Sequence, residues 1–152
     1  MTILDEIAAY TSQRMTAEEE QVSTASLRRQ ALAMASAERE TNGGASPFRF
    51  SAALAKPGLS FICEVKKASP SKGVIAEEFP YLDIAKSYEA AGAAAISCLT
   101  EPKWCMGSDA YLAEIAAETS VPVLRKDFVV CERMIYQAKV LGASAVLLIC
   151  SI

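Results

Sequence analysis

Val121-Pro122-Val123-Leu124-Arg125-Lys126-Asp127-Phe128, then the stretch from Glu132 to Leu141, then Ala145-Val146-Leu147-Leu148-Ile149-Cys150 alternate an apolar run, an amphipathic segment and a second apolar run. The two runs are short and rich in Val, Leu and Ile, which reads as strand. Pro122 stands at the start of the first, where a missing N–H is tolerated. Between them Ile135, Ala138 and Leu141 recur at helical spacing, and Gly142 follows as a stop. Strand, helix, strand within roughly 30 residues is a βαβ step, and such steps build parallel sheets covered by helices.

The same alternation runs upstream. Ser60-Phe61-Ile62-Cys63-Glu64-Val65-Lys66 is strand-like, and a loop from Ala68 to Gly73 follows it. Tyr81 to Ala91 places Ile84, Ala85, Tyr88 and Ala91 on one helical face, closed by Gly92. Ala94-Ala95-Ile96-Ser97-Cys98-Leu99-Thr100 is a second strand. Ser108 caps a helix whose apolar face is Tyr111, Leu112, Ile115 and Ala116. Two architectures fit this order: an open doubly wound sheet and a TIM barrel. No Gly-x-Gly-x-x-Gly follows the first strand, which disfavours a dinucleotide fold. Residues 1–42 read as helical, with Thr2 as a cap for Ile3, Leu4, Ile7 and Ala8. A second stretch after Ser23 and Thr24 has Leu27, Ala31 and Met34 on one stripe. Glu18-Glu19-Glu20 reads as a solvated face, and Asn42-Gly43-Gly44 as the end of the helix. Phe48, Phe50 and Leu54 are expected packing points.

Strand residues two apart face the same side. Glu64 and Lys66 therefore share a face with Ile62, and Lys126 shares one with Leu124 and Phe128. A lysine pointing into a barrel near the top of a strand is costly unless it is paired or meets a ligand. Glu64 with the two lysines makes a mixed-charge cluster at the strand ends where such folds place their sites. An internal salt-bridge network that merely satisfies itself fits the same residues. Arg125 and Asp127 face the opposite way, towards the helices. Ser69-Pro70-Ser71-Lys72-Gly73 has the composition of an active-site loop or of an ordinary surface loop. Trp104, the one tryptophan, lies after the second strand, against a ligand or a neighbouring loop.

The 152 residues carry a net charge of −3 and no histidine. Without histidine, proton transfer must fall to carboxylates, lysines, tyrosines or thiols. No basic stripe suggests nucleic acid. No apolar run approaches the roughly 20 residues of a membrane helix, and the start lacks a signal-peptide pattern. A cytoplasmic protein is the expectation. The five cysteines, Cys63, Cys98, Cys105, Cys131 and Cys150, form no Cys-x-x-Cys pair. They read as reduced, buried thiols, with no metal site.

Three segments resemble indole-3-glycerol-phosphate synthase. They are Glu64-Val65-Lys66-Lys67-Ala68-Ser69-Pro70-Ser71-Lys72-Gly73, Leu99-Thr100-Glu101 leading to Gly107-Ser108, and Val123 to Phe128 followed by Ile135-Tyr136-Gln137-Ala138 and Leu147-Leu148-Ile149. The resemblance covers nearly the whole chain. It implies a (β/α)8 barrel, with residues 1–46 as a helical N-terminal extension and 47–152 as the first half of the barrel, strands one to four with three connecting helices. It implies a carboxy-lyase of tryptophan biosynthesis that acts on a phosphorylated small molecule without a cofactor. By resemblance Lys126 is the general acid, Lys66 binds the anionic substrate near its carboxylate, and Glu64 orients the lysines. Phe128 packs on the anthranilate ring, and Ser69 and Pro70 shape the loop above it. Trp104 followed by Cys105 departs from the aromatic the family often carries in that loop. Family members are barrels of about 250 residues, so this chain is expected to end inside strand four. Alone it is expected to be inactive, and to self-associate or need a C-terminal half. Two other readings are a catalytically silent, self-associating half-barrel and a Schiff-base aldolase using Lys66 or Lys126.

Overall fold

The computed structural model describes residues 2–41 and 48–152. Helices α1 (Ile3–Gln21), α2 (Thr24–Thr41) and α3 (Arg49–Leu54) come first. Strand β1 (Ile62–Val65) leads into a short ribbon, β2 (Ala68–Ser69) and β3 (Gly73–Val74). Then α4 (Tyr81–Ala90), β4 (Ala95–Leu99), α5 (Asp109–Glu118), β5 (Val123–Lys126), α6 (Glu132–Val140) and β6 (Ala145–Val146) alternate. The Asn42-Gly43-Gly44 stop and the expected boundary at residues 46 and 47 lie outside the described residues.

β1, β4, β5 and β6 form one parallel sheet in chain order. A doubly wound sheet reverses its order at a switch point. No reversal occurs here, so of the two architectures the barrel's winding is the one present. Register separates the two faces. Val65, Cys98, Arg125 and Val146 pair across the sheet in one row, and Glu64, Ser97, Leu124 and Ala145 in the next. The first row faces the helices. There Val65, Ala85, Ile96, Cys98, Leu112, Ile115, Val123, Ala138 and Ala143 make the main core. The second row faces what would be the barrel interior.

Arg125 stands in the helix-facing row and is fully buried. A charge there is tolerable only with its donors satisfied. Its guanidinium donates to Thr100 Oγ1 at 3.1 Å, the Met134 carbonyl at 3.2 Å, Gln137 Oε1 at 3.0 Å and Asp109 Oδ1 at 2.8 Å. Burial pushes the Asp109 carboxyl up, against the pull of Arg125.

Thr2 and Asp5 form a reciprocal capping box at the start of α1. The buried stripe of α1, Ile7, Thr11 and Met15, advances one turn at a time. Met15 then meets Val129 and Met134. Ser23 Oγ accepts the Ser26 amide at 3.2 Å and starts α2. No helix among the described residues is long and apolar enough to cross a membrane.

Several expectations are corrected. Glu18 and Glu19 are not a free solvated face. Glu18 accepts from Gln137 at 3.1 Å and Glu19 from Arg133 at 2.9 Å, which ties α1 to α6. Helix α6 buries Arg133, Met134 and Ala138 while Ile135 is exposed, because it is covered on two sides, by the sheet and by the N-terminal helices. Met34 and Phe48 are exposed. Ala91 lies past the end of α4 and is exposed. Cys131 and Cys150 are exposed, because they sit in the segments after β5 and β6 and not within the strands. β6 pairs over Ala145–Val146 alone, so the run to Cys150 is only partly strand.

Candidate active site

β1 and β5 each bring one lysine to the C-terminal end of the sheet. Lys66 follows β1, and its Nζ lies 2.6 Å from Glu64 Oε1. The two side chains are two residues apart on the same face, so the pair closes along the strand and does not cross it. Each remains one-third exposed. Lys126 ends β5, beside Leu99 in register. It joins no ion pair among the described residues. The expected three-way cluster is therefore a Glu64–Lys66 pair with Lys126 standing apart from it.

All three groups line one cavity of about 120 Å³, with Ser69, Pro70, Leu99, Cys105, Asp127, Phe128 and Ile149. Strand parity foretold Glu64, Lys66, Lys126 and Phe128 on this face. Ser69 and Pro70 reach it because the loop after β1 is not slack. Ala68 and Ser69 pair antiparallel with Gly73 and Val74, Ser69 Oγ accepts the Lys72 amide at 3.2 Å, and Gly73 takes the positive φ that the turn requires.

Trp104 is absent from the lining. Its ring packs edge-on against Tyr10 of α1 at 5.4 Å, with the Lys103 ammonium 4.4 Å above it. Cys105 takes the place at the wall instead. Sequence periodicity could not separate the two, because an irregular loop has no alternation to read. Burial pushes the Cys105 thiol up to about 11, and the neighbouring Glu101 adds to that. At neutral pH it is a small apolar wall and not a nucleophile.

Behind Lys126, Asp127 is buried and held from several sides. It accepts from Thr100 Oγ1 at 2.7 Å, from the Phe128 amide at 2.8 Å and from Arg14 of α1 at 3.1 and 3.3 Å. Burial opposes the charge on Arg14, but Asp127, Glu18 and Asp109 together outweigh it and the guanidinium pKa is raised. The N-terminal helix is thus fastened to the residue next to the site lysine. Nothing in the sequence of α1 showed where it docks.

Two strand-end lysines, Glu64 and an apolar wall thus stand together at the C-terminal end of a parallel sheet wound as in a (β/α)8 barrel, facing away from the helices. A family model described as indole-3-glycerol phosphate synthase matches residues 4–152. Proteins of that name from Ruminiclostridium cellulolyticum, Endomicrobium trichonymphae and Lachnoclostridium phytofermentans are 49%, 48% and 45% identical over 99% of this chain. The chain belongs to the indole-3-glycerol phosphate synthase family. It spans about half the length of these relatives, 55% of the first two and 56% of the third.

Proposed function

We propose that this chain supplies the β1 and β5 side of a synthase site that converts 1-(2-carboxyphenylamino)-1-deoxyribulose 5-phosphate to indole-3-glycerol phosphate. A carbon–carbon bond forms between the aromatic ring and the ribulose carbonyl carbon, and carbon dioxide and then water leave. The observation that carries this reading is the meeting of Lys126, Lys66, Glu64 and Phe128 in one cavity. Lys126 joins no ion pair among the described residues, so its ammonium is available to protonate the carbonyl oxygen as the ring closes. Lys66 attracts the substrate carboxylate, and Glu64 at 2.6 Å sets its position. Phe128 packs on the anthranilate ring, while Ser69 and Pro70 close the space above it. The reaction calls for no cofactor, and a cytoplasmic location fits a biosynthetic lyase.

The same reading holds that the 152-residue chain is silent and self-associating when alone. Its sheet has β1 and β6 as unpaired edges, and positioning and electrostatic stabilisation come from loops around a whole barrel. The roles are tested in a chimaera joining this chain to the remaining part of the Ruminiclostridium cellulolyticum relative. Lys126→Ala is expected to lower kcat by about 100-fold or more with KM little changed, because a general acid acts mainly in the transition state. Lys66→Ala is expected to raise KM as well. A Lys126→Ala chimaera within a few-fold of its parent in kcat would overturn the assignment.

A further inference from the structure

Glu101 is fully buried two residues past the end of β4, yet no cation pairs with it among the described residues. A buried carboxylate without a cation needs several N–H groups aimed at it. Three successive main-chain amides supply them. Oε1 accepts from Lys103 at 2.8 Å, and Oε2 accepts from Trp104 at 2.7 Å and Cys105 at 2.8 Å. The Glu101 carbonyl accepts from Gly107 at 2.8 Å. The loop is thereby folded back over the strand end, with Met106 at a positive φ of 51°. Two of its contacts run to the site. Cys105 lines the cavity, and its carbonyl accepts the Ala68 amide at 3.2 Å, at the start of the ribbon that bears Ser69 and Pro70.

We propose that Glu101 is a positioning residue of the site: its carboxylate, through three amides, fixes Cys105 as a cavity wall and, through Cys105, anchors the ribbon over the cavity. The inference rests on the synthase reading for what the cavity binds, and on the hydrogen bonds alone for how the wall is held. A glutamine cannot replace the acid, since it offers one acceptor oxygen, and its NH2 would face an N–H donor.

The test is the rate of iodoacetamide alkylation at each cysteine of the chain, mapped by mass spectrometry, in the parent, Glu101→Gln and Glu101→Ala. Cys98 is the internal control. It is as buried as Cys105 but lies within β4 and faces the helix-side core, and burial pushes its thiol up to about 12. Local opening of the loop exposes Cys105 and not Cys98, so Cys105 should react about tenfold faster in Glu101→Gln, faster still in Glu101→Ala, with Cys98 within about twofold. Trp104 should become more accessible to acrylamide in step with Cys105. The proposal is overturned if the Cys105 rate is unchanged in both variants, or if Cys98 accelerates equally with it in both, which marks a loosened fold and not a released loop. No substrate enters the assay, so failure of the synthase reading would leave these rates where they are.

Discussion

Two lysines at the ends of β1 and β5, with β4 between them, solve the cost of their placement differently. Lys66 lies against Glu64, while Lys126 keeps its charge turned to the cavity beside Cys105 and Phe128. On the proposed reading, that asymmetry would separate an anion-binding lysine from a proton-donating one, since the first needs orientation and the second an unclaimed proton. Gly107 limits the same site from behind. A Cβ there would stand 2.3 Å from the Leu99 carbonyl oxygen, which is backbone and cannot swing aside. Gly107→Ala is expected to destabilise the chain by roughly 3 kcal/mol, seen as a lower urea midpoint at unchanged slope. A midpoint equal to the parent's would contradict the packing described. The sequence made the strand residues legible because a period of two assigns each side chain a face, and Glu64, Lys66, Lys126 and Phe128 are where that period puts them. It left Trp104 and Cys105 undecided, because the loop between Glu101 and Gly107 is ordered by a buried carboxylate and not by any repeat.

Elements were read most surely where a local rule fixes them. Thr2 and Ser108 cap their helices as their side chains foretell, and Gly92 and Gly142 follow helix ends at positive φ. Docking between elements was not legible. Helix α1 carries a modest apolar stripe, yet it is held by long-range polar contacts of Arg14, Glu18 and Glu19 to residues more than a hundred positions away. Polar side chains that look solvated in isolation gain their partners only through tertiary folding, which is why the partners of Glu18 and Glu19 were not foreseen, while Glu19 and Glu20 are exposed as expected. The most deeply buried of these ties is Arg14 to Asp127, a largely buried cation on a buried anion. Arg14→Leu removes one of the groups that offset the charge on Asp127, while Arg125 at 3.6 Å remains. The expected loss is about 2 kcal/mol, below the range for an anion left with no partner. Trp104 emission should shift to the red as Tyr10 and α1 loosen from it. Unchanged stability and emission would mean that α1 does not depend on this pair.

At the scale of the molecule, the sheet is wound as a barrel but has edges. Among the described residues β1 pairs on one side only, as does β6. Leu59, Phe61 and Leu148 stand 90%, 64% and 61% exposed near those two strands. Unpaired edges flanked by apolar side chains are templates for association. The fold class was legible from the alternation of strands and helices, and the length of the relatives gives the scale of a whole barrel. The central claim is that these 152 residues hold the lysine side of a synthase site whose chemistry needs the rest of a barrel. Its most direct test is indole-forming activity measured by fluorescence across light-scattering-monitored size-exclusion fractions, for the chain alone and for the chimaera. The chain alone is predicted to elute as a dimer or larger species and to form no indole product, while the chimaera turns over. Turnover by the unjoined chain, a monodisperse and inactive monomer that melts sharply, or a well-folded chimaera with no turnover would contradict the account.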